Sequence, residues 1–301
     1  MEYAPFALSL VLLGLPHGAL DHLVPDRLQG CETTARSVAA VVLLYLVLGG
    51  SYLALWNIEP VAACAFFIAL TWFHWGQGDL HALILLDARP RTRLSRAATV
   101  FVRGGLPMLV PLLAHPDVYR GVLLDAARLF EVRAGALPYW IFEPVFRVPT
   151  GATFAAVAAV LLTTGFVRAA PRERRSWAGE AFDTVLLAAY FVVVPPVLAV
   201  GLYFCLWHAP RHIARLALLA KPSRNGLERG DILPAALAFV RDAAPLTTVA
   251  LVMLAALYFV VPSVGPDASS LLGLYLVLIS VLTLPHVAVV SYMDYRQGVW
   301  R

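Results

Sequence analysis

Apolar runs of 17 to 22 residues recur from one end of the chain to the other, and arginines collect between them. The runs fall at 4–20, 37–56, 60–78, 97–114, 150–167, 177–194, 197–217, 244–262 and 269–290. A helix needs about 20 apolar residues to cross the hydrocarbon core of a bilayer. No water is available there to a free backbone N–H or C=O, which confines each run to a helix, whose hydrogen bonds close within the segment. Only 14% of the residues are charged, against about 25% in soluble domains. The expected fold class is therefore all-α: a polytopic membrane bundle, one integral domain over residues 1–301. The first run follows "MEYAP" without a basic flank or a small-residue cleavage site, so it reads as a retained span and not as a signal peptide.

The number of crossings turns on "YFVVVPPVLAVGLYFCLWHAPRH". Proline removes a backbone donor and restricts the residue before it, so Pro195 and Pro196 favour a break between two helices over a kink in one. With the break there are nine spans, without it eight. Charge separates the two. In the nine-span arrangement, 18 cationic residues lie on one side: Arg27, Arg36, Arg89, Arg91, Arg93, Arg96, Arg168, Arg172, Arg174, Arg175, Arg211, Arg215, Lys221, Arg224, Arg229, Arg241, Arg296 and Arg301. Four lie on the other, all in the 115–149 connection. The positive-inside rule then puts the N-terminus outside and the C-terminus in the cytoplasm of a multi-pass cell-membrane protein. Tyr139, Trp140, Phe142 and Phe146 in that connection suit an interfacial helix. The scattered arginines suit loops beside anionic lipid and form no patch for nucleic acid. Cys31, Cys64 and Cys205 form neither a disulfide framework nor a CxxC metal site.

Ionisable residues inside membrane spans are expensive and point to function. "LWHAPRH" places His208 and His212 four apart, so a helix projects both imidazoles from one face, as two ligands of one metal require. The plainer alternative is a pair of interfacial histidines beside Arg211. His17 in "GLPHGALDH", His74 in "TWFHWGQGDLH" and His286 in "TLPHVAVV" are weak signals singly. In the nine-span arrangement, however, all five lie in the cytoplasmic halves of spans one, three, seven and nine, which run in the same direction, so they can converge. An intramembrane metal site is favoured over scattered structural histidines. Neutral imidazoles suit Zn, Cu, Ni and Fe alike and leave the ion's charge uncompensated. Asp21, four residues after His17, and Asp79, five after His74, are candidates to accept the other ring N–H of ligands; ordinary solvation of a helix end is the alternative. Trp72, Phe73 and Trp75 beside His74, with Tyr203, Phe204 and Trp207 before His208, are candidates to line a tunnel for a long apolar substrate.

Together "GLPHGALDH", "FHWGQGD", "YFCLWHAPRH" and "LTLPHVAVV", in this order and with these separations, resemble the Brp/Blh family of membrane β-carotene 15,15′-dioxygenases, which supply retinal to microbial rhodopsins. The resemblance runs from residue 10 to about residue 292. It implies a non-haem enzyme using Fe(2+) and O2 to split the central double bond of β-carotene into two all-trans retinal. It also implies iron ligands at His17, His74, His208 and His212 and a functional link to a rhodopsin apoprotein. His22 stays outside the ligand set, and the role of His286, beside the ligands or along the tunnel, is open. Three rivals remain: a membrane di-iron lipid or carotenoid hydroxylase, for which only His208 and His212 have the usual spacing, a proton-coupled transporter using buried His and Asp, and a b-type haem protein with paired histidines as axial ligands.

Overall fold

The structure is a computed structural model that describes residues 14–85, 90, 92–131 and 137–301. Among these, every regular element is helical. The chain enters through two short helices, α1 (Leu15–Gly18) and α2 (Val24–Leu28), with a 3-10 turn at Asp21–Leu23 between them. Then follow α3 (Ala35–Ile58), α4 (Pro60–Leu85), α5 (Arg93–Ala114) and α6 (Pro116–Arg128), and after a 3-10 turn at Tyr139–Phe142, α7 (Pro144–Arg168) and α8 (Arg174–Val193). The last group is α9 (Pro196–Tyr203), a π turn (Phe204–His208), α10 (Ala209–Ala217), α11 (Lys221–Glu228), α12 (Ile232–Val260) and α13 (Ala268–Gln297). The expected first span at 4–20 falls mostly outside the described residues.

Among the described residues, six helices are long and apolar enough to cross a membrane: α3, α5, α7, α8, α12 and α13. Two of them form the centre, α5 and α13 each having 67% of their apolar window buried, against 11–28% for the other four. Those four turn residues such as Leu46, Val160, Val185 and Phe259 outward, each more than half exposed. In water so much apolar surface would have no partner; lipid supplies one. Around α13 pack α3, α4, α6 and α12, and α5 joins this group to α7 and α8.

α4 and α5 approach to backbone contact. A Cβ on Gly76 would stand 2.1 Å from the Val100 carbonyl oxygen, and one on Gly104 1.8 Å from that of Trp72. Small residues let membrane helices pack this closely, where dispersion replaces the missing hydrophobic drive.

The chain does break at the two prolines. Val194 and Pro195 are extended (ψ 135° and 137°), and α9 starts at Pro196. The Tyr190 hydroxyl closes the break by donating to the Ala199 carbonyl at 3.0 Å. Farther on, Pro210 cannot donate to the Leu206 carbonyl four residues back, and the helix widens into the π turn over 204–208, where Ala209 N–H reaches Phe204 O. The 115–149 connection holds α6, packed on α13, and the short 3-10 helix Tyr139–Phe142, in which Trp140 is 59% exposed.

Candidate metal centre

Five buried imidazoles from four regions of the chain meet at one place. His17 comes from α1, His74 from α4, His208 and His212 from the π turn and α10, and His286 from α13; each is at most 8% exposed. Ring centroids lie 4.8 Å apart for His74–His208 and His74–His286, 5.0 Å for His17–His286 and His212–His286, and 6.3 Å for His74–His212. The rings stand edge-on to one another.

The nitrogen geometry fits a bound cation. Nε2 of His208 is 3.1 Å from Nε2 of His74. Imidazole binds a divalent ion at about 2.0–2.1 Å, which sets neighbouring donor atoms about 3 Å apart. Ring nitrogens of His17, His74 and His286 lie within 4.8 Å of one another, and within the same limit His212 and His286 share a group with the Asp21 carboxylate. Nε2 of His212 and Nε2 of His286 are buried without a hydrogen-bond partner among the described residues. Each such orphan costs about 1–3 kcal/mol unless a ligand satisfies it.

Glycines in the same motifs make room for the rings. A Cβ on Gly78 would come within 3.2 Å of His208 Cε1, one on Gly18 within 3.3 Å of His286 Nδ1, and one on Gly14 within 2.7 Å of Phe204 Cε1. His17 Nδ1 is held by the Gly14 carbonyl, which leaves Nε2 for a ligand.

Several expected roles are redistributed. Asp21 does not meet His17. α1 ends at Gly18 and the chain turns, so the four-residue spacing is not helical, and Asp21 Oδ2 instead accepts from His286 Nδ1 at 2.7 Å and from the Tyr45 hydroxyl at 2.6 Å. Asp79 meets no histidine. Five residues at 100° each carry it to another face of α4. There it accepts from Arg103 Nε at 2.7 Å, Trp207 Nε1 at 3.3 Å and Arg211 at 3.4 Å.

Of the six aromatics, Trp75 and Phe204 line the cavity beside the histidines. The other four point elsewhere. Trp72 donates to the Phe101 carbonyl and packs on Phe154, Phe73 is 37% exposed, Tyr203 lies between Trp75 and Phe191, and Trp207 sits 3.6 Å under the Arg211 guanidinium. His22 holds the Ala19 carbonyl, and His115 holds that of Val192 at the far end of α5.

Sequence reasoning missed Tyr45 and the buried cluster of Arg103, Asp79 and Glu180. Arg103 lies 2.7 Å from Asp79 and 3.7 Å from Glu180. A signal was there for Arg103, a cation in the middle of the apolar run at 97–114; Tyr45 had none.

The cavity measures about 480 Å³ and is walled almost wholly by apolar side chains. It follows α13 from Leu272 to His286, fourteen positions or about 21 Å at 1.5 Å per residue. Its exposed lining residues, Val42, Leu46 and Gly50 on α3 and Val249 on α12, mark a lateral opening between those helices.

Fold and site together define a class: a helical membrane protein whose buried imidazole cluster faces a long apolar cavity. The family model for beta-carotene 15,15'-dioxygenase matches residues 8–294, and the chain belongs to that family. Among curated relatives, the "Probable beta-carotene 15,15'-dioxygenase Blh" of Halobacterium salinarum is 46% identical over 99% of this chain and 86% of its own. The "Probable beta-carotene 15,15'-dioxygenase Brp" of the same species is 29% identical over 98% and 84%. The "Beta-carotene 15,15'-dioxygenase" of an uncultured marine bacterium is 24% identical over 69% and 67%. No solved structure matches the chain.

Proposed function

We propose that this protein splits the central double bond of β-carotene with O2, giving two molecules of all-trans retinal. The observation that carries the reading is the imidazole cluster at one wall of an apolar cavity in a chain of this family. Fe(2+) is the proposed cofactor, held by His17, His74, His208 and His212. When bound, it supplies the activation of O2 that the polyene does not undergo by itself. Neutral imidazoles hold the ion without cancelling its charge, in a place where little solvent screens it.

The remaining work is positioning. One C=C bond and one O=O bond are broken, and each oxygen atom ends in one aldehyde. No proton is transferred overall. Trp75 and Phe204 confine the chain of conjugated carbons beside the cluster, and symmetric cleavage requires the central pair to rest there. The opening between α3 and α12 gives a route for a carotenoid dissolved in the bilayer.

The same reading places nine crossings in the cell membrane, N-terminus outside and C-terminus in the cytoplasm. Its support is the break at Pro195 and the 22 residues of Pro196–Ala217, about 33 Å of helix. Retinal so released is a chromophore for a rhodopsin apoprotein.

Expression in a β-carotene-producing bacterium, with pigments separated by chromatography, tests the proposal. Carotene should be replaced by retinal, and the His17→Ala, His74→Ala, His208→Ala and His212→Ala variants should leave it uncleaved. Unchanged carotene beside well-folded protein, or retinal from His208→Ala, would defeat it.

A further inference from the structure

His286 lies nearer the middle of the cluster than its partners in sequence would suggest. Its ring is 5% exposed and within 5.0 Å, centroid to centroid, of those of His17, His74 and His212. It also belongs to both groups of converging donor atoms, the one with His17 and His74 and the one with His212 and Asp21. Nδ1 donates to Asp21 Oδ2 at 2.7 Å, and the Tyr45 hydroxyl donates to the same oxygen at 2.6 Å. With Nδ1 carrying the proton, Nε2 presents a lone pair, and Nε2 is the atom left buried with no partner. Gly18 keeps the space beside this ring open.

A carboxylate on one ring nitrogen and a free lone pair on the other is how metal-bound histidines are oriented and made more basic. We infer that His286 is a fifth imidazole donor to the metal, with Asp21 and Tyr45 as the residues that position it. The inference rests on the four-histidine centre proposed above and adds to it a ligand from α13. Of the helices that wall the cavity, α1, α4 and α13 would then be fixed to the centre itself, and α3 to Asp21 through Tyr45.

The test uses full-length protein in detergent and Co(II) as the probe, read by visible absorption and by competition with a chelator. His286→Ala should weaken Co(II) binding at least tenfold (about 10-fold or more, the scale of losing even an outer partner) and change the absorption bands. Added free imidazole should restore both. His286→Phe, which keeps the ring but not the donor, should behave like His286→Ala without the rescue and covers the case in which the smaller side chain does not fold. Asp21→Asn should keep the wild-type bands while weakening binding about 10–100-fold. A wild-type spectrum and affinity in both His286 variants overturns the fifth donor and leaves the four-histidine centre standing. A wild-type protein that takes up neither Co(II) nor Fe(II) overturns the centre itself, and His286 with it.

Discussion

Gly78 and His208 illustrate how much of this site depends on absent side chains. A methyl group on Gly78 would press to 3.2 Å of His208 Cε1, inside ordinary contact, and the ring must move. Displacements of about 1 Å near reacting groups cost up to about 100-fold in rate. Gly78→Ala should therefore lower retinal formation by about tenfold or more at near-normal protein yield, measured as turnover per folded protein; full turnover would show that the ring's place does not matter. His115→Ala, by contrast, removes only a bond to the Val192 carbonyl at the far end of α5, and turnover should stay within about twofold. The histidines were legible because helical spacing and the direction of the spans allowed them to converge. The partner of Asp21 was not, because it depends on a turn at residues 19–23 that brings the carboxylate to α13, 265 positions on. Tyr45 sits among apolar neighbours on α3 and gave no reason to be singled out.

α10 is fastened to the two other long helices that carry histidines. Arg211 and Arg215 extend the stripe of His208 and His212 along one face; Arg211 reaches Asp79 on α4 at 3.4 Å, and Arg215 reaches Asp294 on α13 at 2.7 Å. Asp79 is shared with Arg103 of α5, whose guanidinium also faces Glu180 of α8. Removing one member of a buried ion pair typically costs about 3–5 kcal/mol, since the charge left behind has no water. Arg103→Met should accordingly lower the thermal unfolding midpoint in detergent sharply, even though it touches no histidine; an unchanged midpoint would mean that the cluster is solvated or neutral. Most long helices were readable from hydropathy to within a few residues, as with the run at 37–56 and α3 at Ala35–Ile58. α12 departs furthest: it begins at Ile232, twelve residues before the run at 244, because Arg241 and Asp242 lie on its polar turn, with Arg27 paired to Asp242. The π turn was hidden as well. Pro210 announces a missing hydrogen bond, but whether the helix kinks, breaks or widens is decided by packing.

The bundle is open at one side, and this gives it a direction. α3 and α12 both pack on α13, and between them the cavity meets the lipid-facing surface at Val42, Leu46, Gly50 and Val249. Among the described residues, nothing lies within 4 Å of where a side chain on Gly50 would begin. Gly50→Trp should thus fold normally but obstruct the gap, raising the carotene concentration needed for half-maximal turnover severalfold; unaltered kinetics would place the entry elsewhere. That the chain is a membrane bundle was plain from its apolar runs. The cavity was not, since it is made by residues of eight helices whose spacing in sequence carries no common pattern. The claim on which the rest depends is that the histidine cluster holds the iron that cleaves β-carotene. It is tested most directly by stripping purified protein with a chelator, resupplying Fe(2+), and counting retinal formed per β-carotene consumed. The account predicts no turnover in the stripped protein, recovery with Fe(2+), and two retinals for each carotene; full turnover by metal-free protein, or products of unequal length, would contradict it.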